Sequence, residues 1–523
     1  MRTSIFRLTR LRAYPHAGAW LGLLVFMLAP IPLAAQQKIQ IEHADKLSYF
    51  EQEGRKYRKL IGAVRLRQEN ARMRCDSALQ ELDSNRVLAY GHVRYQEGDS
   101  LELFGDSLRY LGNRRLAFLK GHVRLVDGAT QLTTDAITYR GRQKVAYYQT
   151  EGVVTDPQNR LVSQAGAYYT ESKQAFFRDS VRLNNPKFRL EADTLQYATN
   201  IRTAYFLGPT WIYGDESTIF CRSGYYDTRS GEGYFGAGTR LYNDRNRVTS
   251  DSLYYQRERG YAHSRGYTTL YDSVEQLTLT GYKAEVFQQD SMAYITDSAQ
   301  AQYPAGDDTL FVHADTIRAT RDSMGQRLLK AYFEVRIWSR QMQGVCDSLI
   351  FRARDTQIVM MQQPALWQEQ YQLTADTIKM YLGPNQLDSV DFIQNAFMCG
   401  RKDTSKYNQV RGKNMRAYFR ENALRRIDVT GNGQAVYYLK DDNQPGYIGV
   451  NRIDASDVII YVRDRELSEI TFVREPHATL YPIDQAPRPE TRLKGLNWRG
   501  PERPRSRRDL FRRPVASPPD PSL

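Results

Sequence analysis

The chain has 523 residues, and 73 Lys and Arg against 59 Asp and Glu give it a formal charge of +14. Hydrophobic residues make up 41%, and no run of 18 or more apolar residues occurs beyond the N-terminus, which excludes a multi-span helical membrane protein. Aromatics at 12%, mostly Tyr (36 residues), offer too much apolar area for wholesale disorder and favour strands over helices.

In chain order, residues 1–35 carry Arg2, Arg7, Arg10 and Arg12, then an apolar stretch Ala19–Leu33, then Ala34-Ala35. That order is expected of a cleavable secretory signal, because Pro30 and Pro32 break a run already short of the ~20 residues a span needs. The mature chain then starts near Gln36, outside the cytoplasm. Only Cys75, Cys221, Cys346 and Cys399 occur, too sparse for a disulfide scaffold.

From residue 36 to 485 one phrase recurs: small residue, Asp, any, apolar, any, aromatic. Gly105-Asp106-Ser107-Leu108-Arg109-Tyr110 and Ala192-Asp193-Thr194-Leu195-Gln196-Tyr197 are clear copies. Anchors fall at 45, 76, 106, 135, 166, 193, 224, 251, 283, 315, 347, 376, 414 and 457, fourteen in all, mostly 27 to 32 residues apart. Apolar residues at the second position after the anchor and aromatics at the fourth give the period-2 alternation of a strand with one buried face. Cys75 and Cys346 fall in the small column and read as reduced, buried fillers. A second strand follows each first one after a polar turn, as in Gly91-His92-Val93-Arg94-Tyr95 and Gly121-His122-Val123-Arg124-Leu125. Such a pair cannot close a core alone, so neighbours must stack. The expectation is an all-β, elongated repeat β-jellyroll over 36–485. One rung per repeat would make it about 65–70 Å long.

Residues 486–523 hold ten Lys or Arg, four acids and eight prolines, the composition of a disordered basic tail. With leader and tail set aside, the 450 residues between carry only +4, so no nucleic-acid partner is expected.

The repeated Ala/Ser-Asp-x-Leu/Ile-x-Tyr strand, the following Gly-x-Val strand and the signal sequence together resemble the OstA-like family, the periplasmic modules of lipopolysaccharide transport that include LptA and the N-terminal jellyroll of LptD. The resemblance implies a V-shaped β-jellyroll that holds the acyl chains of lipopolysaccharide (lipid A) in an apolar groove. It also implies end-to-end strand pairing with other jellyroll transport components, and a periplasmic location with outer-membrane association. The groove candidates are Leu108, Ile137, Leu195, Leu253, Ile317, Leu349, Ile378 and Ile459 from the first strands and Val93, Val123, Val154 and Val181 from the second. From the residues alone the same column fits a closed core equally, as in a structural or adhesive β-solenoid rod of the envelope.

Other chemistry finds little support. Stacked carboxylates in the Asp column would repel, and a side-chain-to-backbone turn bond explains Asp followed by Ser or Thr. His92 and His122 occupy equivalent positions without a third ligand, so solvated imidazoles are expected and no metal. Gly231-Glu232-Gly233-Tyr234-Phe235-Gly236 matches G-x-G-x-x-G but lacks a following helix and reads as a turn. Departures from the repeat at Lys283, Glu285 and Arg416 are scattered, so no catalytic cluster or cofactor is expected.

Overall fold

The computed structural model describes residues 38–512 apart from 353, 384–385, 422, 441–445 and 464–465. The leader expected at 1–35 lies outside the described residues, as does 513–523 of the tail.

Among the described residues, 36 strands join into one antiparallel sheet, and the expected all-β elongated jellyroll is what the chain forms. The strand Arg86–Glu97 shows how. It buries Val87 and Ala89 in its first half and Val93, Tyr95 and Glu97 in its second. Its ladder with Ala71–Glu81 breaks between Arg74 and Ser77, and its ladder with Leu101–Leu111 between Tyr90 and Val93. Gly91 and His92 fill the break with φ of 73° and 44°, two left-handed residues in succession that turn the strand through a corner. Gly121-His122, Asp179-Ser180, Asp297-Ser298, Gln394-Asn395 and Gly431-Asn432 repeat the device. Each long strand thus contributes one arm to each of two walls, and the stacked corners form the edge where the walls meet.

The Asp column sits at this edge. Asp106 lies over Gly121, where a Cβ would come within 2.2 Å of the carboxylate, and it bonds His122 Nδ1 at 2.8 Å. Asp76 holds His92 at the same distance, and Asp251 accepts the Tyr267 N–H at 2.9 Å. At Asp347 the carboxylate accepts from the Ser348 hydroxyl at 2.8 Å, a contact between side chains rather than the expected side-chain-to-backbone turn bond. Elsewhere the carboxylate reaches the corner of the neighbouring strand, because the bulge leaves donors there without ladder partners. Both imidazoles are solvated, with the His92 and His122 side chains 92% and 93% exposed.

Each repeat supplies two strands, hence two rungs in each wall. The one-rung expectation was therefore too short, and the stack is about 130 Å long. The small residue before most anchors lies beside the corner. Cys75 and Cys346 are buried there, and all four cysteines are free and buried. Burial pushes the Cys75 thiol up to about 11 and those of Cys221, Cys346 and Cys399 up to about 12. The Gly231–Gly236 segment is mostly strand, within Glu232–Tyr242, and its Gly233 leaves room for the rings of Tyr226 and Phe235.

Residues 486–512 correct the expectation of a disordered tail. They run back along the outer face of one wall in an extended course with short helical turns, Arg488–Thr491 first. Gln409 accepts the Leu493 N–H at 2.8 Å and donates to the Thr491 carbonyl at 3.0 Å. Gln372 repeats this one repeat earlier with the Arg499 N–H and the Asn497 carbonyl, both at 2.7 Å. Arg503 then reaches Gln343 and Arg507 reaches Gln300, while the Phe511 ring packs at a tilt against His313. Leu493, Leu496 and Trp498 cover Phe397, Cys399, Val436 and Tyr438. A segment with no core of its own is ordered by side-chain amides that act as ladder partners and by an apolar strip on the wall.

Candidate functional site

The candidate site is the interior between the walls. Leu108, Ile137, Leu195, Leu253, Ile317, Leu349 and Ile378 are all buried there, as are Val93, Val123, Val154 and Val181. Ile459 is not. In the strand Tyr447–Arg463 the buried residues are Ile453, Val458, Ile460 and Val462, and Ile459 takes the outer face. The anchor of this last repeat is Ser456, one residue before the expected Asp457, and a one-residue slip exchanges the faces.

The interior carries two apolar clusters, one from Ile39 to Leu253 and one from Leu277 to Val462. Between them the corner turns polar. Thr268 shares hydrogen bonds with the Ser250 and Ser264 hydroxyls at 2.9 and 2.8 Å.

The hairpin turns make two rims opposite the corner. One rim includes the turns at 112–115, 141–144 and 170–173, the other those at 69–70, 98–100 and 128–129. Over the first cluster the rims meet in a polar seam. Glu69 pairs with Arg115, and Glu97 takes Lys144 at 2.8 Å. Asp127 takes Lys173 at 2.6 Å and accepts the Tyr168 hydroxyl at 2.8 Å. Asp156 accepts the Tyr197 hydroxyl at 2.5 Å, and Asn159 reaches Thr228 at 3.3 Å. Farther on, Asp272 pairs with Arg327 across the mouth.

Tyr110, Tyr139 and Tyr197 of the aromatic column line the first rim from inside, joined by Tyr168, which stands two residues after its anchor Gly166. Burial pushes the Tyr168 and Tyr197 hydroxyls up, reinforced by the carboxylates they face, so both remain protonated donors. Burial alone would raise Asp272, but the hydrogen bonds from Arg327 and from the Glu275 and Val274 N–H groups outweigh it and hold the carboxyl low. The seam escapes sequence reasoning because its partners stand two repeats apart and the turn residues vary.

The mouth changes character over the second cluster. Tyr303 of one rim faces Phe351 of the other with ring centroids 5.6 Å apart. Behind them lies a cavity of about 40 Å³ lined by Leu277, Leu310, Ile317, Leu329, Leu349, Ile358 and Leu382 among other apolar side chains. It contains two of the expected groove residues, Ile317 and Leu349.

At the N-terminal end, the edge strand Lys46–Gln52 pairs with Arg55–Gln68, and Leu47 and Tyr49 at this end are more than half exposed. The last strands, Glu466–Val473 and His477–Pro482, both pair with Tyr447–Arg463. No helix among the described residues is long and apolar enough to cross a membrane. No curated protein matches the chain. Residues 36–193, the stretch that holds most of the polar seam, match the model of the OstA-like protein family.

Proposed function

We propose that the chain is a non-enzymatic carrier or bridge for lipopolysaccharide in the periplasm, delivered there by the leader at 1–35. Acyl chains are held between the two walls. The observation that carries this reading is the OstA-like match over 36–193 together with its continuation, as the same two-walled stack, to Pro482. A dry interior favours acyl chains by ~0.8 kcal/mol for each methylene removed from water. The edge strands at both ends support docking to other jellyroll components by strand pairing, which would lengthen the path and cover Leu47 and Tyr49.

A second reading, a structural or adhesive rod without lipid cargo, is favoured by one feature. Over the first cluster the interior is filled by its own side chains, with Leu103, Leu119 and Leu195 at 0% exposure. Mass spectrometry of lipids extracted from the protein purified from its native envelope separates the two. Lipid A species in stoichiometric amount support transport, and none after gentle extraction supports the rod.

A further inference from the structure

We propose that the alkyl tail of an anionic amphiphile enters the interior sideways, between the rims at Leu277–Leu382, with its head group on the arginines of the first rim. The proposal rests on the carrier reading above and names where along the stack cargo is taken up.

The two apolar clusters differ in how they are closed. Opening the first requires separating Glu97 from Lys144 and Asp127 from Lys173, whose carboxylates are buried. Removing one member of such a pair from the other strands a charge in a dry setting. Past Arg327 the latch is replaced. Asp308, in the next turn of the second rim, is held on its own rim by the Arg340 N–H at 2.9 Å and the Arg340 guanidinium at 3.4 Å. The closure there is the ring pair Tyr303 and Phe351, both half-buried, which parts by side-chain rotation without breaking an ion pair.

The cavity behind this ring pair is apolar on every side. Its 40 Å³ exceeds the ~10–15 Å³ that one water needs, so it admits the end of a chain, and displacing the rings lengthens it. The rim above it is basic. Arg321, Arg352 and Arg354 are exposed, against Asp322 and Asp355, while Arg327 is already taken by Asp272. Asp322 is engaged in its own turn, accepting the Met324 and Gln326 N–H groups at 2.9 and 2.8 Å. A chain with a carboxylate or phosphate head therefore finds an apolar slot beneath and positive charge at the lip, which is charge complementarity a neutral amphiphile lacks.

The test is photo-crosslinking of the full chain with a sixteen-carbon fatty acid carrying a diazirine near its methyl end, followed by peptide mapping. The expected result is labelling concentrated in 277–382, reduced at least fivefold with the matching neutral alcohol and in the surface variant R352Q/R354Q. Ala331→Phe, which fills the cavity, abolishes labelling there, and a circular dichroism spectrum and melting midpoint matching the parent chain show that this variant still folds. Labelling spread evenly over the interior from 39 to 462 overturns the portal and leaves the carrier reading standing. Labelling at 277–382 that excess lipopolysaccharide does not suppress supports the portal, assigns it to single-chain amphiphiles and sinks the carrier reading. No labelling in any region overturns the portal, and lipid A on the purified protein would then still support the carrier.

Discussion

Asp127 and Lys173 stand 46 residues apart on opposite rims, and their side chains meet at 2.6 Å. The carboxylate is only 2% exposed and also accepts the Tyr168 hydroxyl. Such a pair is a poor source of net stability but a costly one to break on one side. Asp127→Ala is expected to destabilise the surrounding rungs by about 2–4 kcal/mol, because it leaves a lysine and a buried hydroxyl without their acceptor. Lys173→Met keeps the apolar stem but strands the buried carboxylate with only the Tyr168 hydroxyl, so it should lose at least as much. In a stacked repeat protein the damage stays near the site, so hydrogen exchange resolves it better than a melting curve. Faster exchange confined to Leu116–Arg140 and Ala165–Asn185 is the expected pattern. Unchanged exchange in Asp127→Ala would show that the seam holds nothing shut.

The corner makes a second demand. At Gly121, φ is 78° and a Cβ would approach the Asp106 carboxylate to 2.2 Å. Gly121→Ala therefore combines backbone strain with a clash, and about 1–3 kcal/mol of destabilisation is expected. Asp106→Ala/Gly121→Ala should recover part of it, since the carboxylate is gone while the φ remains. Urea titration of these two variants decides the matter, and a double variant no more stable than Gly121→Ala would refute the steric share.

These two sites mark what the residues disclose in advance. Leu108 and Tyr110 reveal a buried face because side chains in a strand alternate with period 2, a local rule needing no partner. That rule failed at Ile459, where the longer final repeat shifts the anchor from Asp457 to Ser456 and turns the side chain outward. The corner was half visible, since Gly91-His92 and Gly121-His122 repeat, but the link from Asp106 to His122 crosses strands. The Asp127–Lys173 latch depends on how far each wall folds over, which no local pattern encodes. The tail looked disordered because it brings little apolar area of its own. Yet Ala365-Leu366-Trp367 and Ala396-Phe397-Met398-Cys399 break the alternation, with apolar residues on both faces, and that was a legible sign that something covers the wall.

Histidine titration gives a third prediction with opposite signs at different sites. The hydrogen bond and charge of Asp76 raise His92, and those of Asp106 raise His122. A raised value in the folded chain means each pair's contribution is fully present below the unfolded value of about 6.5 and fades as pH rises through the folded one. His313 moves the other way, because burial disfavours its charged form. In carbon-13 histidine NMR, His92 and His122 should titrate above about 6.5 and His313 below it. Asp76→Asn should bring His92 back without moving His122. A His92 value that ignores this substitution would remove Asp76 as the cause.

Cysteine alkylation tests the course of the tail. Cys399 is fully buried on the outer face of the wall, within the cluster that Leu493, Leu496 and Trp498 complete. Cys75 is buried inside, beside the corner. Reaction requires the thiolate, and burial pushes Cys399 up to about 12 and Cys75 up to about 11, so both should resist iodoacetamide at pH 8 in the intact chain. Ending the chain at Gln485 removes the cover from Cys399 alone. Its alkylation should then accelerate by an order of magnitude or more while Cys75 stays protected, read by mass spectrometry of the labelled peptides. Equal protection of Cys399 in both chains would mean that residues 488–512 do not lie on this wall in solution. Equal acceleration at both cysteines would mean that the tail holds the whole stack together rather than one face of it.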